Sequence, residues 1–336
     1  MPGSPISQPL SIQDALDAFL QVLENSRSKH TARTYKNGLN SFCLSLIKHH
    51  LLPDQTPPAE LPEEAITWFT ADLKDTSPAT ERLYLTAAIQ FYEYLAAENL
   101  ANPNLTRLRI LVRTRSRRSG IRLPQFPQNI IELLIKYAIN LVNSPWENEF
   151  ERLRNLRDRA FVLTLADTGL RVHEACQLRR GDIDWNEGRA VIIGKGDRQA
   201  VVRFSRRSLH SLREYLEARA SIDGVSKRPL ASLPLFARHD KGAGKKVKAI
   251  TTTTGRNIVN QRVEEAVGPD SVGLVTPHSL RHYFVTTVLR ASGNLKLAQE
   301  LARHQNIAVT QRYAHLSNDE LDKGYFEVFD DRDPGN

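Results

Sequence analysis

Arg171, Lys195, His278, Arg281, His304 and Tyr313 follow one another in an order suited to holding and handling an anion. Glu174 stands three residues after Arg171, where its carboxylate can orient the guanidinium, although an isolated pair of this kind is usually a surface salt bridge of small worth. Lys195 lies between Gly194 and Gly196, which keep the turn flexible and the ammonium accessible. His278 and Arg281 share one face of a segment that opens with Thr276, a good N-cap, and Pro277, which suits the first helical position. A helix N-terminus attracts phosphate through its free N–H groups, so the pair reads as an anion site; the alternative is a structural histidine beside a surface arginine. His304 and Tyr313 flank a short connection between helices, and Tyr313 taken alone reads as packing rather than chemistry.

Two familiar devices are excluded. Gly242-Ala243-Gly244-Lys245 lacks the spacing of an ATP phosphate loop. His278 and His282 lie four apart, but no Glu follows His278, so HExxH zinc chemistry fails; no metal or cofactor is expected.

These groups must be positioned by a chain of 336 residues, a length that favours two domains. A hydrophobic content of 40% with 25% charged residues is that of a globular protein, and no apolar run approaches the ~18 residues of a membrane span. The first residues lack the basic and apolar pattern of a signal peptide. Cys43 and Cys176 make neither a disulfide framework nor a CxxC zinc site, so a reducing cytoplasm is expected. The net charge of +8 is unevenly placed: residues 1–103 carry 7 Lys and Arg against 12 Asp and Glu, whereas residues 104–336 carry 39 against 26. The excess positive charge belongs to the larger part, where a polyanion would be held.

The first hundred residues read as a four-helix unit. Ser11 and Asp14 form a capping-box start, with Leu16, Phe19, Leu20 and Leu23 at helical spacing. A second helix from about Thr31 buries Tyr35, Leu39, Phe42 and Leu46, and helices over 64–73 and 78–99 follow, the last with Leu83, Ala87, Tyr94 and Leu95 inward. One basic island, Arg27, Lys29, Arg33 and Lys36, is compatible with a solvated face or with DNA. Residues 104–127 carry seven arginines (107, 109, 113, 115, 117, 118 and 122), and such density predicts an extended linker unless a polyanion neutralises it. Arg113, Arg115, Arg117 and Arg118 are its candidate phosphate contacts, joined by Lys241, Lys245 and Lys246 of a later lysine loop. Beyond Pro127, helices over 155–167 and 171–178 are separated by Gly169 as a left-handed stop. A hairpin of 189–193 and 200–204 turns at Gly194-Lys195-Gly196-Asp197, and helices follow over 208–220, 253–267, 277–292 and 295–302 and from Val309.

The ordered set Thr168-Gly169-Leu170-Arg171-Val172-His173-Glu174, Gly194-Lys195-Gly196, His278-Ser279-Leu280-Arg281-His282, His304 and Thr310-Gln311-Arg312-Tyr313-Ala314-His315 resembles the tyrosine recombinase (phage integrase) family, its Xer-like members in particular. The resemblance covers nearly the whole chain. It implies a mainly α fold with a small β-hairpin or sheet: a helical, SAM-like core-binding domain (9–103), the arginine linker (104–127), a catalytic domain (128–316) and a tail (317–336). The tail carries Leu321, Tyr325, Phe326, Val328 and Phe329, an apolar end that folds back or docks on a neighbouring protomer. The implied activity is site-specific cutting and rejoining of double-stranded DNA through a 3′-phosphotyrosyl intermediate, without ATP or metal, with strand exchange through a Holliday junction in a tetramer. Arg171, Arg281 and His304 would stabilise the transition state, Lys195 would protonate the leaving oxygen, His278 would assist Tyr313 as nucleophile, and Glu174 and His282 would support them. The resemblance further implies a monomer or dimer off DNA, action at the nucleoid, and an accessory recombination protein as a possible partner. Rival readings are a type IB topoisomerase-like or telomere-resolving enzyme and a non-catalytic DNA-binding protein of the same fold. Ala302-Arg303 precedes His304 where the family usually has Leu-Gly, and Tyr283 stands where a smaller residue is common.

Overall fold

The computed structural model describes residues 11–117, 127–193, 199–240, 242, 247–304 and 306–311. The chain divides into two units, Met1–Ile121 and Arg122–Asn336. Among the described residues no helix is long and apolar enough to cross a membrane.

The first unit holds α1 (Ile12–Ser26), α2 (Lys29–Lys48), α3 (Ala65–Asp72), α4 (Pro78–Ala97) and α5 (Leu105–Arg115). Ser11 and Asp14 exchange the two hydrogen bonds of a capping box at 3.1 Å each, and Ser28 and Ser77 cap α2 and α4. The apolar stripes meet in a core of Leu16, Phe19, Leu39, Phe42, Leu46, Phe69, Phe91 and Leu95, with Phe42 and Phe69 5.2 Å apart between ring centres. Leu83 departs from expectation and is 40% exposed. The buried stripe of α4 runs through Glu81, Leu85, Ala88, Tyr92 and Leu95. Leu83, two residues from Leu85, sits about 200° round the helix.

The expected extended linker is also corrected for residues 105–115, which form a helix of the first unit rather than a tether between units. Asn104 caps it by accepting the Arg107 N–H, and Leu108 is wholly buried, with Leu105, Leu111 and Val112 packed on the same core. The repulsion that argued for extension is cancelled by carboxylates from α4 and the segment before α3. Arg107 binds Glu63 and Glu64 at 2.7 Å each, Arg109 binds Glu93, and Arg117, just beyond the helix, binds the buried Glu81. Local charge counting could not see these partners, which lie 16 to 44 residues away.

The second unit holds α6 (Gln128–Asn140), α7 (Glu149–Thr168), α8 (Val172–Gln177), β1 (Ile183–Asp184), β2 (Arg189–Ile193), β3 (Gln199–Arg203), α9 (Arg206–Ala218), α10 (Ala220–Val225), α11 (Thr252–Val267), α12 (Pro277–Ser292), α13 (Leu295–Ala302) and α14 (Ile307–Gln311). Helix α7 is its axis, buried from Leu153 almost to its end and packed by α6, α9 and α12. It starts at an Asn148 cap, one to two turns earlier than the pattern predicts, and α6 is a helix the pattern reading does not assign. Phe161 of α7 meets Phe236 edge-on at 5.0 Å. Asp158, also on α7, is buried but satisfied by Arg157 and Arg262, as a buried charge requires. The sheet is antiparallel in the order β1-β2-β3; Ala190, Ile192 and Val202 face the core while Val191 and Val201, paired in register, face out.

Candidate active site

The site grows from the point where α7 stops. Gly169 takes the left-handed conformation (φ 59°), and a side chain there would have its Cβ 2.4 Å from the Phe284 ring, so glycine is required twice over. The reversal is tied down by Thr168, whose hydroxyl donates to Thr164 O and accepts the Leu170 N–H. It delivers Arg171 to the position before α8. The buried Glu174 carboxylate accepts the Arg171 backbone N–H through Oε2 and its guanidinium through Oε1, both at 2.8 Å, while the Arg171 side chain stays 43% exposed. The guanidinium is thus held from beneath with an open outer face.

Helix α12 supplies the second set. Thr276 caps it by accepting the Ser279 N–H at 3.2 Å, with Pro277 at its first position. Arg281 is buried and donates to the carbonyls of Gly169 and Ala302, joining α12 to the end of α7 and the end of α13. His278 and His282 meet edge-on with ring centres 4.1 Å apart. Helix α13 ends at Arg303, in left-handed conformation (φ 57°), and the next residue, His304, is 2.9 Å from Thr310 Oγ1 through Nδ1.

Electrostatics tie these groups together. Burial lowers His278 below the ordinary histidine value, helped by Arg281 and Arg171. Burial, then His278 and Arg281, pulls His282 down to about 4. Burial, then Arg281, Arg171, His282 and Arg303, does the same for His304. All three imidazoles are therefore neutral at pH 7, able to accept a proton as well as donate one. Burial by itself would raise Glu174; the Arg171 N–H and the Arg303 and Arg171 cations outweigh it and hold the carboxylate ionised.

Arg171, Glu174, His278, Arg281, His282 and His304 are thus gathered in the second unit from segments up to 133 residues apart in sequence. Lys195 and Tyr313 lie outside the described residues, as do Arg118, Lys241, Lys245 and Lys246. In the first unit Arg27, Lys29, Arg33 and Lys36 are all exposed, the last three at i, i+4 and i+7 along one stripe of α2. Arg113 and Arg115 are exposed, whereas Arg117 is occupied by Glu81. Sequence reasoning missed the Gly169 carbonyl as a shared acceptor, because a backbone oxygen carries no residue-type signal. It also missed the inward turn of Arg303, for which the departure from the usual glycine was a visible flag.

The model of the phage integrase family matches residues 140–320. Tyrosine recombinase XerC of Staphylococcus aureus (strain USA300) is 30% identical over 318 residues, covering 93% of this chain and 95% of that protein. Among solved structures, XerH site-specific recombinase bound to its difH substrate in a pre-cleavage complex superposes with a TM-score of 0.64 at 20% identity, covering 95% of this chain and 85% of that one. The Tn1549 transposon integrase in complex with a circular intermediate DNA gives 0.65 at 14%, covering 95% and 100%. The chain belongs to the phage integrase family, the tyrosine recombinases. It is a DNA breaking-rejoining enzyme of site-specific recombination.

Proposed function

We propose that the enzyme cleaves double-stranded DNA at a specific site by transesterification, with Tyr313 as nucleophile. The phenolic oxygen attacks the scissile phosphorus, a P–O bond to Tyr313 forms, and the bond to the 5′-oxygen breaks. The phenolic proton passes to His278, whose neutral imidazole is ready to take it. Lys195 protonates the departing 5′-oxygen. Arg171, Arg281 and His304 stabilise charge on the nonbridging oxygens, the role for which fixed donors in a partly desolvated pocket are suited. The phosphodiester energy stays in the phosphotyrosyl bond, so rejoining to a new strand needs no ATP, and Arg, Lys and His supply the charge neutralisation that a metal ion would otherwise give. Exchange of two duplexes needs four such cuts, hence a tetramer working through a Holliday junction, in the compartment that holds the nucleoid. The exposed α2 stripe and Arg113 and Arg115 supply further phosphate contacts.

The observation that carries this reading is the convergence of Arg171, Arg281, His278 and His304 at the two helix starts and the α13 end, with Arg171 held from below and open above. The deciding experiment is Tyr313→Phe on a nicked suicide substrate. The covalent adduct should vanish while DNA binding stays within about twofold, since only the nucleophile is lost. An adduct that persists rejects the assignment and turns attention to Tyr325 or Tyr283. Relaxation of one supercoiled circle without exchange between two duplexes would favour the topoisomerase-like rival.

A further inference from the structure

Residue 303 carries three costs that a surface arginine would avoid. Its backbone is left-handed (φ 57°, ψ 43°), a conformation glycine takes freely and other residues resist. Its side chain is only 10% exposed, so a long flexible cation has been ordered and partly desolvated. Its Nε is buried without a hydrogen-bond partner among the described residues. What the guanidinium does reach is specific: Nη2 donates to Glu174 Oε2 and to Gly169 O, both at 3.2 Å, and Nη1 lies 3.4 Å from Leu301 O.

These contacts fall on the supports of the two other arginines. Glu174 Oε2 already accepts the Arg171 backbone N–H, and Oε1 accepts the Arg171 guanidinium, so the added bond from Arg303 fixes the carboxylate against rotation. Gly169 O is also the acceptor of Arg281. Two guanidinium groups, Arg171 and Arg303, share the single carboxylate of Glu174, so this trio keeps an unbalanced positive charge.

We propose that Arg303 is a positioning residue for strand cleavage, clamping Glu174 and the Gly169 carbonyl so that the Arg171 and Arg281 forks are set before DNA arrives. The proposal rests on the reading of Arg171 and Arg281 as the phosphate-binding pair. It makes Arg303 a replacement for the plain glycine turn that the family pattern implies, one that trades backbone ease for a stiffer phosphate pocket.

The test measures adduct formation at saturating nicked DNA, DNA affinity and melting for the parent protein, Arg303→Gly, Arg303→Lys, Glu174→Gln and the Arg303→Gly/Glu174→Gln double variant. The glycine suits the left-handed turn, so Arg303→Gly should fold, bind DNA within about twofold of the parent, and form adduct about tenfold more slowly, the scale expected when a catalytic group is loosened rather than removed. Arg303→Lys should recover part of that rate. In the Glu174→Gln background, loss of Arg303 should cost clearly less than about tenfold, because the carboxylate arm of the clamp is already weakened and only the Gly169 arm is left to lose. Should the glycine variant fail to fold, Arg303→Met, which keeps the stem, carries the same expectation. Parent-like cleavage in the folded Gly or Met variant overturns the proposal, and so does a full tenfold loss in the Glu174→Gln background. A parent protein that forms no adduct overturns this proposal together with the reading beneath it; a parent adduct matched by an undiminished variant overturns this one alone.

Discussion

Arginines crowd two regions of this chain, and the partners they meet differ in kind. In and just after α5, Arg107, Arg109 and Arg117 each find at least one carboxylate of their own: Glu63 and Glu64, Glu93, and Glu81. At the candidate site, Arg171 and Arg303 share Glu174, and carbonyl oxygens of Gly169 and Ala302 anchor Arg281. A carboxylate cancels the charge of a guanidinium, whereas a carbonyl fixes its direction and leaves most of the charge in place. The first pattern stabilises a helix against its own repulsion. The second keeps positive charge available for a phosphate.

The strongest break in this contrast should come from Gly169→Ala. The positive φ and the 2.4 Å approach to Phe284 both oppose a methyl group, for a combined loss of about 3 to 5 kcal/mol in the second unit. Any shift of the Gly169 carbonyl also loosens Arg281 and Arg303, so adduct formation should fall with stability. Urea melts and adduct assays on the same sample check this, and a variant that melts and cleaves like the parent would show the turn is not needed.

In the first unit, Arg117→Ala should cost about 2 kcal/mol, because Glu81, only 2% exposed, is left with a buried charge and a lost partner. Adding Glu81→Gln should restore at least half of that, with cleavage chemistry untouched throughout. Stability within about 0.5 kcal/mol of the parent for Arg117→Ala would remove the structural role assigned to this arginine.

Acid sharpens the comparison more gently. His282 and His304 are drawn down to about 4, and His239, buried near Arg157 and Arg219, to about 3. An unfolded histidine titrates near ~6.5, so below that the unfolded chain binds more protons and the second unit loses stability as pH falls from about 6.5 toward 4. The first unit's pairs hold longer: hydrogen bonding from Arg107 keeps Glu64 below its ordinary value, so that contribution fades only at lower pH. Melting temperature plotted from pH 7 to 5 should fall less steeply for His282→Asn than for the parent, and parallel slopes would refute the assignment.

Much of the fold was legible because its signals are local. Ser11 with Asp14, Thr276 with Pro277, and Gly169 each mark a helix end through bonds that span three or four residues. The candidate site was legible as a set because its residue types and order are rare together: Arg171, Glu174, His278, Arg281 and His304, named from the sequence, are the residues that the fold brings near one another. Leu83 was misplaced because a leucine reads as inward whichever side of the helix the core happens to lie. The α5 segment was misread because its neutralising carboxylates come from other parts of the unit.

The sequence by itself determined which side chains are candidates for an anion site and where most helices begin and end, since both depend on residue type and on neighbours within a turn. Apart from Arg171, whose Glu174 lies three residues away, tertiary structure decided which arginines of the two crowded regions have their charge balanced by a carboxylate. That choice depends on whether a carboxylate or a carbonyl arrives from a distant segment, and such distances exist only once the chain has packed.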